Sequence, residues 1–323
     1  MKILIIKTGA FGDIILSSIS FQTIKENFKE GKIYLLTKKI YKEVVEDCPI
    51  FEEVFILSEN KNFFNFLKLI KRLRKLKFDI IFDLQGNLKT NFLSFLLNGE
   101  KRIGLYGKSF GKFFLTKSIK KNKCLNPISH QKYFFKEIGI EKISDLKIWI
   151  SEKKEIEFDN FLKEKGLLKK SYIVIHPVAS SEWKTKRWLP IRFAEVSDIL
   201  INKGYKIVFI GQDKKGIKEI IKLMKNKPFD LSGETSFFQL SLLIKNSFCL
   251  LTTDSAPLHI GAVFKVKTLA IFGPTEPERH CPSGINYIYK KVSCSPCYKK
   301  ICRDLNCMIN ITTNEVLEKL DKL

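Results

Sequence analysis

Short β-branched runs alternate with longer amphipathic stretches along this chain, and they do so in two rounds. The first round reads "KILII" (2–6), "KIYLLT" (32–37), "VFIL" (54–57), "DIIFDL" (79–84) and "RIGL" (102–105), with helical patterns such as 14–28 and 63–77 between them. The second reads "YIVIHP" (172–177), "KIVFIG" (206–211), "FDLS" (229–232), "CLLTTD" (249–254) and "TLAIFG" (268–273), with helical stretches at about 189–203, 214–226 and 236–246. Such alternation predicts parallel sheets covered by helices on both faces. The rhythm breaks over 139–171, a charged stretch without a comparable apolar run, which places a boundary between domains 1–150 and 151–323. A chain of 323 residues is long for one core and comfortable for two. The expected fold class is therefore α/β with two doubly wound domains. The tail "TTNEVLEKLDKL" predicts a final helix capped by Thr312 or Thr313, with Glu315 in its first turn.

Charge narrows the partners. The chain carries 57 Lys and Arg against 34 Asp and Glu, a formal +23, which attracts polyanions such as nucleic acid, acidic lipid headgroups or phosphorylated glycolipid. Residues 101–123 hold eight basic residues and no acid, with Tyr106, Phe110, Phe113 and Phe114 interleaved. This stretch reads either as a solvated loop or as a surface meeting an anionic membrane, where aromatics sit at headgroup depth. Helix 63–77 has an apolar face and a crowded basic one, which suits a membrane surface but in a βα unit more often means packing on a sheet with a solvated face. No nucleic-acid fingerprint such as the RNP1 run is present, so a nucleic-acid partner is not expected.

No run approaches the roughly 20 apolar residues that span a bilayer. Lys7 and Asp13 interrupt the opening apolar stretch, and no small-residue cleavage site follows. The expectation is a cytoplasmic protein that touches a membrane peripherally at most. In that compartment its eight cysteines are not expected to form structural disulfides.

Open parallel sheets bind ligands at the carboxyl ends of their strands, and the chemically able residues of this chain follow strands. "KTGAFGDIILSS" (7–18) places Gly9 and Gly12 three apart, too sparse for a dinucleotide fingerprint, and presents the carboxylate of Asp13. By itself Asp13 reads as a helix N-cap. "TTDSAPLHIGA" (252–262) puts Asp254, Ser255 and Ala256 at a strand end, Pro257 at the first turn of a helix, where its missing N–H is harmless, and Leu258 and His259 within that turn. The free N–H groups of such a turn make a pyrophosphate seat; simple N-capping is the bland alternative. In "HPVASSEWKTKRWLP" (176–190), Ser180 and Ser181 offer hydroxyls, Lys184, Lys186 and Arg187 offer charge, and Trp183 and Trp188 line or underpin the loop. Together the two segments suggest a nucleoside diphosphate site.

These segments, with "FDLQGNLKTN", "RIGL" and "TTDSAPLHIGAVFKVKTLAIFGPTEPERHCPSG", resemble in order the landmarks of the ADP-heptose:lipopolysaccharide heptosyltransferases, glycosyltransferase family 9. The resemblance implies a GT-B fold, with two Rossmann-like domains facing a cleft, the acceptor on the first and the nucleotide sugar on the second. It makes Asp13 the catalytic base of an inverting transfer, with Gly9 and Gly12 shaping the turn beside it. Lys186, Ser180, Ser181 and the loop from Asp254 to His259 become the holders of the ADP-sugar donor. The acceptor it implies is an anionic lipid A–core precursor, and the place is the cytoplasmic face of the inner membrane. Ala256 stands where the family's loop carries glycine, and His280-Cys281 where a Trp-Gly pair is common. Asp213 and Glu219 are the candidates for the acid that holds the donor ribose.

No cofactor is required by this scheme, since lysine and a helix end can meet the leaving-group charge. A nucleotide-sugar epimerase or hydrolase sharing the donor site is the alternative function. Cys294, Cys297, Cys302 and Cys307 read C-x2-C-x4-C-x4-C, compact enough for a tetrahedral structural Zn²⁺ and equally consistent with free thiols.

Overall fold

A computed structural model of the chain describes residues 1–58, 62–122 and 124–323. It divides into two compact units, Met1–Trp149 and Ile150–Leu323. The first holds strands β1 (Lys2–Ile6), β2 (Lys32–Lys38), β3 (Phe51–Leu57), β4 (Ile80–Asp83), β5 (Lys101–Tyr106) and β6 (Lys117–Lys120). The second holds β7 (Tyr172–His176), β8 (Lys206–Phe209), β9 (Phe229–Asp230), β10 (Cys249–Thr253), β11 (Thr268–Phe272) and β12 (Asn286–Tyr289). The sheets are ordered β3-β2-β1-β4-β5-β6 and β12-β11-β10-β7-β8-β9, and the neighbouring strands run parallel. Counted from its own first strand, each sheet has the order 3-2-1-4-5-6 of a Rossmann domain, read in opposite directions.

The apolar runs explain the centres of both sheets. Ile3 to Ile6 and Tyr172 to Ile175 are buried from both sides, as central strands covered by helices on both faces must be. Each unit closes its own core. In the first, Leu4, Ile6, Leu36 and Ile81 pack against Leu73, Leu93 and Leu97 from the covering helices. In the second, Ile173, Ile175, Leu251 and Ile271 pack against Phe193, Val196, Ile217 and Ile311. Trp188 is buried there and donates its indole N–H to the Ile311 carbonyl at 3.1 Å.

Several expectations need correction. The pattern 14–28 is two helices, Phe11–Leu16 and Ser18–Asn27. Helices Leu88–Leu97, Pro127–Glu137 and Glu152–Glu164 were not expected, the last lying inside the charged break. The basic stretch 101–123 is not a solvated loop: it forms β5, a 3₁₀ turn over Ser109–Phe114, and β6, while Lys123 lies outside the described residues. The tail forms Thr313–Asp321, with Thr312 and Glu315 in a reciprocal capping box. Among the described residues no helix is long and apolar enough to cross a membrane.

Candidate functional site

In each sheet the chain reverses its winding between the first and fourth strands, and ligands bind outside the carboxyl ends there. In the first unit that point lies between β1 and β4. Beyond β1, the Thr8 N–H donates to Gln85 Oε1 at 3.1 Å. A Cβ on Gly9 would come within 2.5 Å of that same oxygen, so the glycine is needed to seat the Gln85 amide.

The helix Phe11–Leu16 then begins with Ala10 as its N-cap and no capping side chain. Asp13 stands in the first turn, partly buried. It is therefore not the N-cap, and its carboxylate makes no hydrogen bond or ion pair among the described residues. Gly12 precedes it inside the helix.

Beyond β4, the wholly buried Asp83 accepts from the N–H groups of Gln85 (3.1 Å) and Gly86 (2.9 Å) and from Asn91 Nδ2 (2.7 Å). Burial pushes its carboxyl up to about 6, against the pull of these donors. Gly86 adopts a positive φ of 59°, and a Cβ there would meet Leu105 Cβ at 2.5 Å. The turn so fixed offers consecutive carbonyls: Lys7 Nζ donates to Leu84 O (3.4 Å) and Lys121 Nζ to Gln85 O (2.6 Å).

Burial, then the Lys7 charge, lowers the Lys121 pKa, with Asp83 and Asp13 acting in the opposite sense. His130, which accepts the Asn122 N–H at 3.2 Å, is driven down to about 4 by burial, Lys121 and Lys7. Neither lysine has a carboxylate ion pair among the described residues. The edge around Asp13 thus gathers Lys7 and Lys121 beside the carboxylates of Asp83 and Asp13. Lys7, Gln85, Lys121 and His130 were not singled out from the sequence; the family landmark "FDLQGNLKTN" was the available signal for Gln85.

In the second unit the corresponding point lies between β7 and β10. Lys186 Nζ sits 2.7 Å from Asp254 Oδ2 and 4.7 Å from the centre of the Trp183 ring. Asp254 also accepts from Thr275 Oγ1 at 2.7 Å. Burial pushes the Asp254 carboxyl up, but Lys186, Thr275 and His280 outweigh it and hold the group below the usual carboxylate range.

Ser255 is the N-cap of the helix Ala256–Val263, yet its hydroxyl makes no capping bond. It lies instead 3.1 Å from His176 Nδ1 and 3.2 Å from Thr253 O. Burial, then Arg187, drives His176 down to about 3, so the imidazole is neutral. The capping alternative therefore fails for this turn, and the helix start is left without a side-chain cap. Pro257 and Leu258 are buried, Leu258 in an apolar cluster with Ala270 and Phe272, so any ligand contact there is through backbone. Ala256 and His259 are partly buried.

Ser180 and Ser181 are exposed on a turn closed by Trp183 N–H to Ser180 O at 2.9 Å. Asp213 is engaged as a structural group: it caps Lys214–Leu223 through Gly216 N–H (3.0 Å) and pairs with Arg187 at 2.5 Å. Glu219 lines a cavity of about 190 Å³ with Lys184, Arg187 and Trp188.

The zinc reading is not supported. Cys294, Cys297, Cys302 and Cys307 are free thiols, and among the described residues no group of three or more His, Cys, Asp or Glu stands close enough to hold a metal ion. Spacing fixes sequence distance but not side-chain direction. Cys307 is taken into the core beside Met308 and Ile311, and Cys302 Sγ accepts the Leu305 N–H at 3.5 Å. Burial raises the Cys307 pKa, and the charges of Cys297, Cys294 and Cys302 raise it further.

The model of the family described as Glycosyltransferase family 9 (heptosyltransferase) matches residues 66–308. Lipooligosaccharide heptosyltransferase 2 of Campylobacter jejuni (strain 81116) is 26% identical over 337 residues, covering 100% of this chain and 99% of the relative. Lipopolysaccharide heptosyltransferase 3 of Escherichia coli K12 is 25% identical, covering 82% of this chain and 80% of the relative. Among solved structures, the glycosyl transferase family 9 protein from Veillonella parvula superposes with a TM-score of 0.85 at 22% identity, covering 99% of this chain and 96% of that one. E. coli ADP-heptose LPS heptosyltransferase II gives 0.80 at 21% identity, covering 100% and 98%. These structures share the expected GT-B fold, and the motifs, the paired Rossmann sheets and the family match agree: the chain is a glycosyltransferase and belongs to family 9, the heptosyltransferases.

Proposed function

We propose that the protein transfers heptose, with inversion, from ADP-heptose to the inner core of a lipopolysaccharide precursor at the cytoplasmic face of the inner membrane. Unit Met1–Trp149 takes the acceptor and unit Ile150–Leu323 the donor. An acceptor hydroxyl attacks the anomeric carbon; the new C–O bond forms as the bond to the β-phosphate oxygen breaks. The hydroxyl proton passes to the Asp13 carboxylate, and ADP departs with the bonding electrons. One carboxylate suffices for this chemistry, where a hydrolase of two-carboxylate type would need a second.

Lys186 is the donor's counter-charge. Its ammonium has three N–H donors; one is held by Asp254 and the others remain for phosphate oxygens. The backbone at Ser255–Leu258 adds the positive end of a helix, and Ser180 and Ser181 close over the diphosphate from the facing loop. Glu219, beside Lys184, suits the donor ribose better than Asp213, which is engaged elsewhere. Lys7 and Lys121 offer the phosphorylated acceptor positive charge beside Asp13, while His130 stays neutral and can only accept or donate a hydrogen bond. No metal is needed for these steps.

The observation that carries this reading is the unengaged Asp13 carboxylate at one switch point, with a lysine and an uncapped helix start at the other. The epimerase or hydrolase alternative finds no support in the family. The test is a donor panel with a truncated lipopolysaccharide acceptor. Asp13→Asn should lose about 10²–10⁴-fold in kcat, the range for a positioned base, while ADP still binds with unchanged affinity. Near-normal transfer by that variant removes the proposed base, and transfer from other nucleotide sugars only removes heptose.

A further inference from the structure

Helix Leu88–Leu97 has the wrong outer face for a helix in water. Inward it buries Thr90, Asn91, Leu93, Ser94 and Leu97. Outward, at helical spacing, it presents Leu88, Phe92 and Phe95, exposed by 37%, 44% and 47%. The 3₁₀ turn Ser109–Phe114 packs beside it and adds Phe110 and Phe113, exposed by 62% and 68%. Phe114 ties the two elements into one patch, its ring 5.2 Å from Phe92, 5.7 Å from Phe95 and 5.5 Å from Phe110. A contiguous exposed aromatic surface marks an interaction site.

The charge around it identifies the partner. Residues 88–122 hold eight Lys and Arg and a single acid, Glu100. Lys112 lies 5.2 Å over the Phe113 ring and Arg102 lies 5.7 Å over Phe95, so cations and rings share one face. A second copy of the chain would set one basic face against another. A bilayer leaflet with anionic headgroups meets both properties at once: apolar depth for the rings and negative charge for the lysines.

We infer that Phe92, Phe95, Phe110 and Phe113, framed by Lys108 and Lys112, form the surface by which the protein docks on an anionic membrane. The inference rests on the membrane contact proposed above and not on the identity of the sugar.

The test is flotation with vesicles of phosphatidylcholine alone or mixed with phosphatidylglycerol. The wild type should float with the mixed vesicles, weakly with the neutral ones, and less as salt rises. Phe110→Ser/Phe113→Ser should lose about tenfold or more of this partitioning, since binding scales with buried apolar area. Lys108→Glu/Lys112→Glu should abolish the preference for phosphatidylglycerol, each lysine being worth about fivefold near an anionic surface. Both variants should keep transfer to a soluble, delipidated acceptor. Phe113→Trp preserves the patch, and the emission it adds to that of wild type should be quenched by brominated lipid.

Flotation of the serine variant like wild type overturns the inference, as does added emission from Phe113→Trp that brominated lipid leaves unquenched. So does a dimer that the serine variant breaks, with no vesicle binding. Loss of heptose specificity would sink the functional proposal and leave the flotation result standing.

Discussion

The ammonium of Lys186 and the buried carboxylate of Asp254 are 2.7 Å apart, and each limits what the other can do. Lys186→Ala removes the donor's counter-charge and also strands a carboxylate that is 7% exposed. Transfer should fall about 10²–10³-fold in kcat, the loss seen when one electrostatic donor is removed. Stability should fall by about 3–5 kcal/mol, the cost of leaving one partner of a buried pair. Lys186→Ala/Asp254→Asn should regain most of that stability and none of the activity, which denaturant melts beside transfer assays would separate.

Gly9 and Gln85 make a second coupled pair. Gly9→Ala should push the Gln85 amide off the Thr8 N–H and disturb the start of the Asp13 helix. Because the obstacle is the end of a flexible side chain, the stability loss should stay near about 1 kcal/mol, one net hydrogen bond, while kcat drops. Gly9→Ala/Gln85→Ala removes the collision. Recovery of kcat in the double variant, compared by steady-state kinetics, would show that the clash was the cause.

Asp83 sets a pH dependence whose sign follows from its raised pKa. Between the ordinary value of 3.8 and about 6 the native state holds a proton that the unfolded chain has released. The group's contribution to stability is therefore greatest below 3.8 and is lost as pH rises through about 6. The stability of wild type minus that of Asp83→Asn should decrease by up to about 3 kcal/mol across this window, at about 1.36 kcal/mol for each pH step of one. Urea melts from pH 4 to 7 check it; a difference that grows with pH would refute the assignment.

Lys7 and Lys121 should act on the acceptor rather than the donor. Lys7→Met/Lys121→Met should raise KM for a phosphorylated acceptor about tenfold or more, as loss of charge-assisted contacts implies, with ADP affinity unchanged. A dephosphorylated acceptor should be less affected. Equal losses on both acceptors would argue that the lysines only hold the Leu84–Gln85 turn.

The centres of both sheets were legible because strands buried on two faces must be continuous apolar runs. The edges were not. β6 is Lys-Ser-Ile-Lys with Ile119 alone buried, and β12 is Asn-Tyr-Ile-Tyr with Ile288 alone buried, so neither carries the signal. The stretch after β5 looked like a loop because its lysines dominate composition, although its phenylalanines pack on a helix whose outer stripe is itself aromatic. Asp13, Lys186 and Asp254 could be found from their place just beyond strands. Lys121 and His130 could not: more than a hundred residues separate them from Asp13, and only the folding of the sheet edge brings Lys121 beside Asp13 and His130 beside Lys121. The cysteine spacing was visible, but the inward turn of Cys307 was not.

Two self-contained cores have a thermodynamic corollary. With Leu4, Ile6 and Leu73 in one and Ile173, Leu251 and Ile311 in the other, each half is expected to have its own cooperative transition. Heating should trace two overlapping steps. A nick between Trp149 and Ile150 should leave the secondary structure of each half intact, as circular dichroism of the nicked chain would show.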